Sequence, residues 1–80
     1  MNKSRRKDIQ KAIKLMNQAE EILEFTREEE SESFENMPES LQETERGQDM
    51  QCTVDDLEFI TSELRDGVMT LEEIVERWLD

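Results

Sequence analysis

Between Ser4 and Glu35 the chain has no glycine or proline, and Ile9, Ala12, Ile13, Met16, Ala19, Leu23 and Thr26 recur at three- and four-residue intervals. That spacing draws one apolar stripe along an α-helix, because about 3.6 residues complete a turn. Written as heptads, Ile9, Met16 and Leu23 take the first core position and Ala12, Ala19 and Thr26 the fourth, with Leu15 and Ile22 widening one flank. Past Thr26 the stripe fades to Glu30 and Ser33, then recovers at Phe34 and Met37.

Pro38 has no backbone N–H to donate and pushes the residue before it out of the helical region, so the first helix is expected to span about 5–35. A connector over 36–48 follows. From Pro38 to Gln48 its only large apolar residue is Leu41, and Gly47 reads as a swivel. Beyond it Met50, Leu57, Leu64, Leu71 and Trp78 fall seven apart, with Val54, Thr61, Val68 and Val75 four residues on. One helix over about 49–79 is the simplest reading. The competing reading breaks it at Asp66-Gly67, where Thr70 and Glu73 match a capping box. A register unbroken across Gly67 favours continuity, since glycine inside a helix costs only ~1 kcal/mol relative to alanine.

Two helices of similar length and a short connector predict a single all-α domain over 1–80, an antiparallel two-helix hairpin. That arrangement sets the basic start of the first helix beside Asp66, Glu72, Glu73, Glu76 and Asp80, so intrahairpin charge pairing is expected. The apolar stripes are wider than one two-helix seam needs: Leu15, Ile22 and Phe25 lie outside it on the first helix, Phe59, Ile60 and Ile74 on the second. A homodimer forming a four-helix bundle, or a target protein, would cover them. Trp78 lies on the main stripe and is expected in the core. Phe59 lies off it and is the better interface candidate.

Composition alone leaves order in question, because 34% hydrophobic and 40% charged residues suit a disordered chain as well as a long helix. Periodicity settles it for the helix. Charge adds a second asymmetry to the net −12. Residues 1–19 hold six cations against Asp8, or +5; residues 20–58 hold 15 acidic and two basic residues, or −13. Direct nucleic-acid binding is therefore not expected, since it needs Lys and Arg to displace counterions. The acidic half could instead imitate a phosphate backbone. Glu28, Glu29, Glu32 and Glu35 are its candidate contacts, and Leu41 and Phe59 are the candidates for apolar docking.

With no histidine and one cysteine, Cys52, the chain lacks the usual zinc ligand sets and cannot build a Ser-His-Asp or Cys-His arrangement. Its two glycines stand alone, so there is no phosphate-cradling loop. No enzyme activity, cofactor or metal is expected. The run Glu28-Glu29-Glu30-Ser31-Glu32 reads as a solvated face rather than a cation site, because adjacent helical residues point in different directions. A lone cysteine suits a reducing cytoplasm, and no apolar run reaches the ~18 residues of a membrane span.

The segment Phe34-Glu35-Asn36-Met37-Pro38-Glu39-Ser40-Leu41-Gln42-Glu43-Thr44-Glu45-Arg46-Gly47 resembles the helix-to-helix linker of small acidic proteins of phages and prophages of Gram-positive bacteria. The likeness runs from about Ser4 to Glu76 and is carried by Phe-x-Asn-x-Pro-Glu-Ser-Leu-Gln and the closing Glu-Arg-Gly. It implies a helical hairpin made in a bacterial host cytoplasm. It transfers no functional residues, and the chain departs from it at Val68-Met69-Thr70. The expected function is a non-catalytic, phage-type module that binds a host or phage protein. A nucleic-acid-mimic inhibitor of a host defence nuclease is the alternative, and virion assembly or scaffolding the third reading.

Overall fold

The computed structural model describes residues 1–79, in three helices: α1 (Lys3–Glu35), α2 (Glu39–Gln42) and α3 (Glu45–Arg77). α1 and α3 pack antiparallel in a rod of 60 × 14 × 14 Å, with α2 as the one-turn link between them. Among the described residues, no helix is long and apolar enough to cross a membrane.

Capping sets the ends. Asn2 stands before α1 in an extended conformation, and its Oδ1 accepts the Arg5 N–H at 2.8 Å, satisfying one of the free donors of the first turn. The helix thus starts two residues earlier than its apolar stripe suggests. It stops at Asn36, because Pro38 takes φ −56°, ψ 143° and cannot continue the ladder. Chain reversal then uses two extended residues, Pro38 and Thr44, on either side of α2. The Gln42 side chain reaches back and donates to the carbonyls of Phe34 and Met37, each at 3.1 Å. Carbonyls at a helix end otherwise have no intrahelical partner, so Gln42 acts as a C-terminal cap from outside α1.

Gly47 is not a swivel. α3 begins at Glu45, about four residues earlier than expected, with Thr44 as its cap and the Gly47 N–H donating to Thr44 Oγ1 at 3.3 Å. Gly47 is helical and buried, and no described residue has a positive φ. Its role is close approach: a Cβ there would stand 2.3 Å from the Gln42 carbonyl oxygen and 2.6 Å from its carbon.

α3 runs unbroken through Gly67, which excludes the two-helix alternative. Thr70 is mid-helix, and its hydroxyl donates to the Asp66 carbonyl at 3.2 Å instead of capping a new helix. The Met16 side chain approaches Gly67, its methyl 3.2 Å from where a Cβ would sit.

The α3 seam follows the expected heptads from Met50 to Val75. Thr61, Val68 and Val75 are buried, and Met50, Val54, Leu57, Leu64 and Leu71 are half-buried. Trp78 departs from expectation: it lies just past the last turn of α3 and is 45% exposed. On α1 the first core position is as expected, but the second is displaced by one residue. Thr26 and Ser33 are exposed, while Ile13, Glu20, Arg27 and Phe34 turn inward. Small alanines at 12 and 19 conceal this, since they read as core at either register. The resulting core is thin, with Val68 and Val75 its only buried apolar side chains among the described residues.

Candidate functional site

Three cross-hairpin contacts fix the alignment: Arg6 Nη1 donates to the Trp78 carbonyl, Arg65 pairs with Glu20, and Met16 meets Gly67. Residues whose numbers add to about 84 therefore face each other. Because the helices are antiparallel, residues that follow a seam position on either helix fall on one side of the rod, and residues that precede one fall on the other.

The following side is polar. Glu24 and Arg27 of α1 meet Glu58, Ser62 and Arg65 of α3 in one groove. Arg65 donates through Nε and Nη2 to Glu20 Oε1 at 2.9 and 2.7 Å. Arg27 donates to Glu24, and that hydrogen bond, together with the charges of Arg27 and Arg65, holds the Glu24 carboxyl below its ordinary range. The same bond raises Arg27, and the bond to Glu20 raises Arg65. These exposed pairs fix register more than they stabilise.

The preceding side is apolar. Leu15, Ala19 and Ile22 of α1 precede Met16, Glu20 and Leu23, while Ile60, Gly67 and Ile74 of α3 precede Thr61, Val68 and Val75. Leu15 is 57% and Ile22 66% exposed.

The candidate residues divide between these surfaces. Glu28, Glu29, Glu32 and Glu35 are all exposed on α1. Glu28, Glu32 and Glu35 share one face by their i, i+4, i+7 spacing, whereas Glu29 is turned about 100° away from Glu28. Glu28 also borders a shallow concavity with Glu21, Glu24 and Phe25. No group of three or more Cys, Asp or Glu among the described residues is placed to hold a metal ion. Leu41 is half-exposed on α2 and lines a groove of about 440 Å³ at the turn with Met37 and Met50. Those two methionines are absent from the sequence candidates; their signal is that they continue the α1 and α3 stripes into the turn. Phe59 lies on the back of α3, 65% exposed. It stands 14 residues beyond Glu45, about 20 Å from the turn, so the structure does not bring Leu41 and Phe59 together.

At the open end, Lys3, Arg6 and Lys7 border a small groove with Leu79. Among the described residues the expected intrahairpin pairing with Asp66, Glu72, Glu73 and Glu76 is not found: Lys3, Arg5, Lys7, Lys11 and Lys14 form no ion pair there; Asp80 lies outside the described residues. Those five side chains are exposed. Comparisons with protein-family models, curated proteins and solved structures find no match. What bears on function is therefore the surface itself: an apolar side, an ionic side, an acidic turn end and a basic open end.

Proposed function

We propose that this chain is a non-catalytic interaction module of phage type, working in a bacterial cytoplasm by binding a host or phage protein through its apolar and acidic surfaces. The observation that carries the reading is the amount of large apolar side chain left in solvent: Leu15, Ile22, Phe25, Leu41, Phe59 and Met69 are each 48% or more exposed on a chain of net charge −12. Exposed apolar patches ringed by charge mark protein interfaces. The linker resemblance supports the phage setting, and the same reading has two hairpins pairing into a four-helix bundle.

Nucleic-acid mimicry, with a host defence nuclease as its target, is favoured by one specific feature: Glu28, Glu32 and Glu35 continue the acidic face begun by Glu21 and Glu24. Capture of partners from host lysate at ~50 and ~200 mM salt separates the two, because exposed charge contacts are screened over that range. Apolar docking keeps its partner at high salt and loses it in Phe59→Ala or Leu41→Ala. Mimicry loses its partner to salt and to neutralisation of Glu28, Glu32 and Glu35. Retention of a salt-resistant partner by both apolar variants overturns the docking reading.

A further inference from the structure

We infer that the side carrying Leu15, Ala19, Ile22, Ile60, Gly67 and Ile74 is covered by a second copy of this chain running antiparallel to the first. The inference rests on the pairing of hairpins in the proposed function and specifies its surface and direction.

Area gives the first argument. A compact chain of 9.5 kDa exposes about 5,000 Å² by the usual mass scaling. This hairpin exposes 6252 Å². The excess is about 1,200 Å² per chain, and a pair that buries it removes about 2,400 Å² in total, within the range of obligate homodimers. The preceding side is suited to that burial. Ala19 and Gly67 sit among the larger Leu15, Ile22, Ile60 and Ile74, so helices can approach closely at its centre, and Glu63 is the one charged residue that precedes a seam position between those of α3.

Charge sets the direction. α1 spans Lys3–Glu35, so its middle residue is Ala19, and the apolar patch is centred there. A two-fold axis through that point, perpendicular to the rod, lays the patch on itself and each end beside the opposite end. Residues 3–14, six cations against Asp8 or +5, then lie alongside residues 24–35 of the second copy, six glutamates against Arg27 or −5. The attraction acts between whole ends: Lys3, Lys7 and Lys14 follow seam positions and stay on the side away from the second copy, whereas Arg5, which precedes Arg6, lies on the joined side. A parallel pair would instead stack two acidic halves, residues 20–58 at −13 each. Like charges held side by side are unfavourable enough to select orientation.

Cys52, exposed and the only cysteine, reports the arrangement without any substitution. It stands 15 residues from Gly67, about 22 Å along α3 from the centre of the patch, so the antiparallel pair separates two spin labels at Cys52 by roughly 45 Å. In a parallel pair they lie at one level, less than about 25 Å apart across the bundle. Light scattering on the full chain is expected to give twice the 9.5 kDa chain mass, and pulsed dipolar spectroscopy the long distance. Ile22→Glu should abolish the long distance, while Met69→Glu, on the opposite side, should keep it. A monomer at tens of micromolar overturns the pairing itself. A dimer with the short distance, or one that survives Ile22→Glu and fails in Met69→Glu, overturns the antiparallel face and leaves pairing intact. Partner capture is scored independently of all three results.

Discussion

Replacing Gly47 by alanine adds one methyl group where the structure has no room for it. The new Cβ would lie 2.3, 2.6 and 2.7 Å from the carbonyl oxygen, carbonyl carbon and Cα of Gln42, against an ordinary contact of 3.4–4 Å. All three are backbone atoms, so no rotamer change relieves the clash. The turn must move by about 1 Å, a strain of the kind that costs ~1–3 kcal/mol. Moving Gln42 also pulls its amide from the Phe34 and Met37 carbonyls, at ~1 kcal/mol for each bond. Alanine's better helix propensity returns ~1 kcal/mol. The net loss is about 2–4 kcal/mol, and for a chain this size each kcal/mol moves the melting point by roughly 4–8 °C. Gly67→Ala is the internal control. Its Cβ meets only the end of the Met16 side chain at 3.2 Å, which can rotate aside, so that variant should melt at or a few degrees above the parent. Circular dichroism melts at one protein concentration make the comparison, since association shifts apparent stability by mass action. A Gly47→Ala variant that melts with or above the parent refutes the close-approach account of the turn.

Gln42→Ala removes the two bonds across the turn and should lower stability by about 1–2 kcal/mol in urea titrations; an unchanged midpoint would show that water replaces the amide at no cost. Thr61→Val deletes a buried hydroxyl that donates to the Leu57 carbonyl at 2.7 Å, an oxygen positioned to accept within the helix as well. The valine variant should be at least as stable as the parent, and a loss above ~1 kcal/mol contradicts that view of the seam. Glu24→Gln tests the ionic side through pH. Because Arg27 depresses the folded-state pKa of Glu24 below 4.5, its contribution is full above that value and disappears as pH falls through the lowered one. The melting-point gap between parent and variant should therefore close on acidification; a gap that widens below pH 4.5 refutes the assignment.

Much of this fold is legible in residue spacing. The α3 stripe from Met50 to Val75 reads directly because large apolar residues occupy both seam positions, so only one register fits. α1 misleads by one residue at alternate positions, since alanines at 12 and 19 are compatible with seam or flank and Glu20 and Arg27 look too polar to face inward. They do so by keeping their charged heads at the groove edge while their stems line the seam. Where α3 begins was hidden by Gly47, whose usual meaning is backbone freedom, whereas its role here depends on a contact with Gln42. The charged candidates were legible as a run, but the partition of Glu29 from Glu28, Glu32 and Glu35 needs the rotation of α1 about its own axis. That the lysines of α1 form no ion pair among the described residues was not legible, because net charge at the two helix ends does not say which side of each helix a charge is on.

Facing residues add to about 84, so the sequence distance across the rod grows by two for every residue stepped away from the turn. Closure beside the turn spans only a few residues, and the join between Arg6 and Trp78 spans 72. Loop-closure entropy therefore favours zipping outward from α2. Yet the best-buried apolar side chains, Val68 and Val75, stand toward the open end, the part closed last. The zipper fastens most firmly at its final teeth. Once those part, little remains on the way back to the turn to halt the opening, so the rod should come undone in a single step and resist piecemeal fraying until it does.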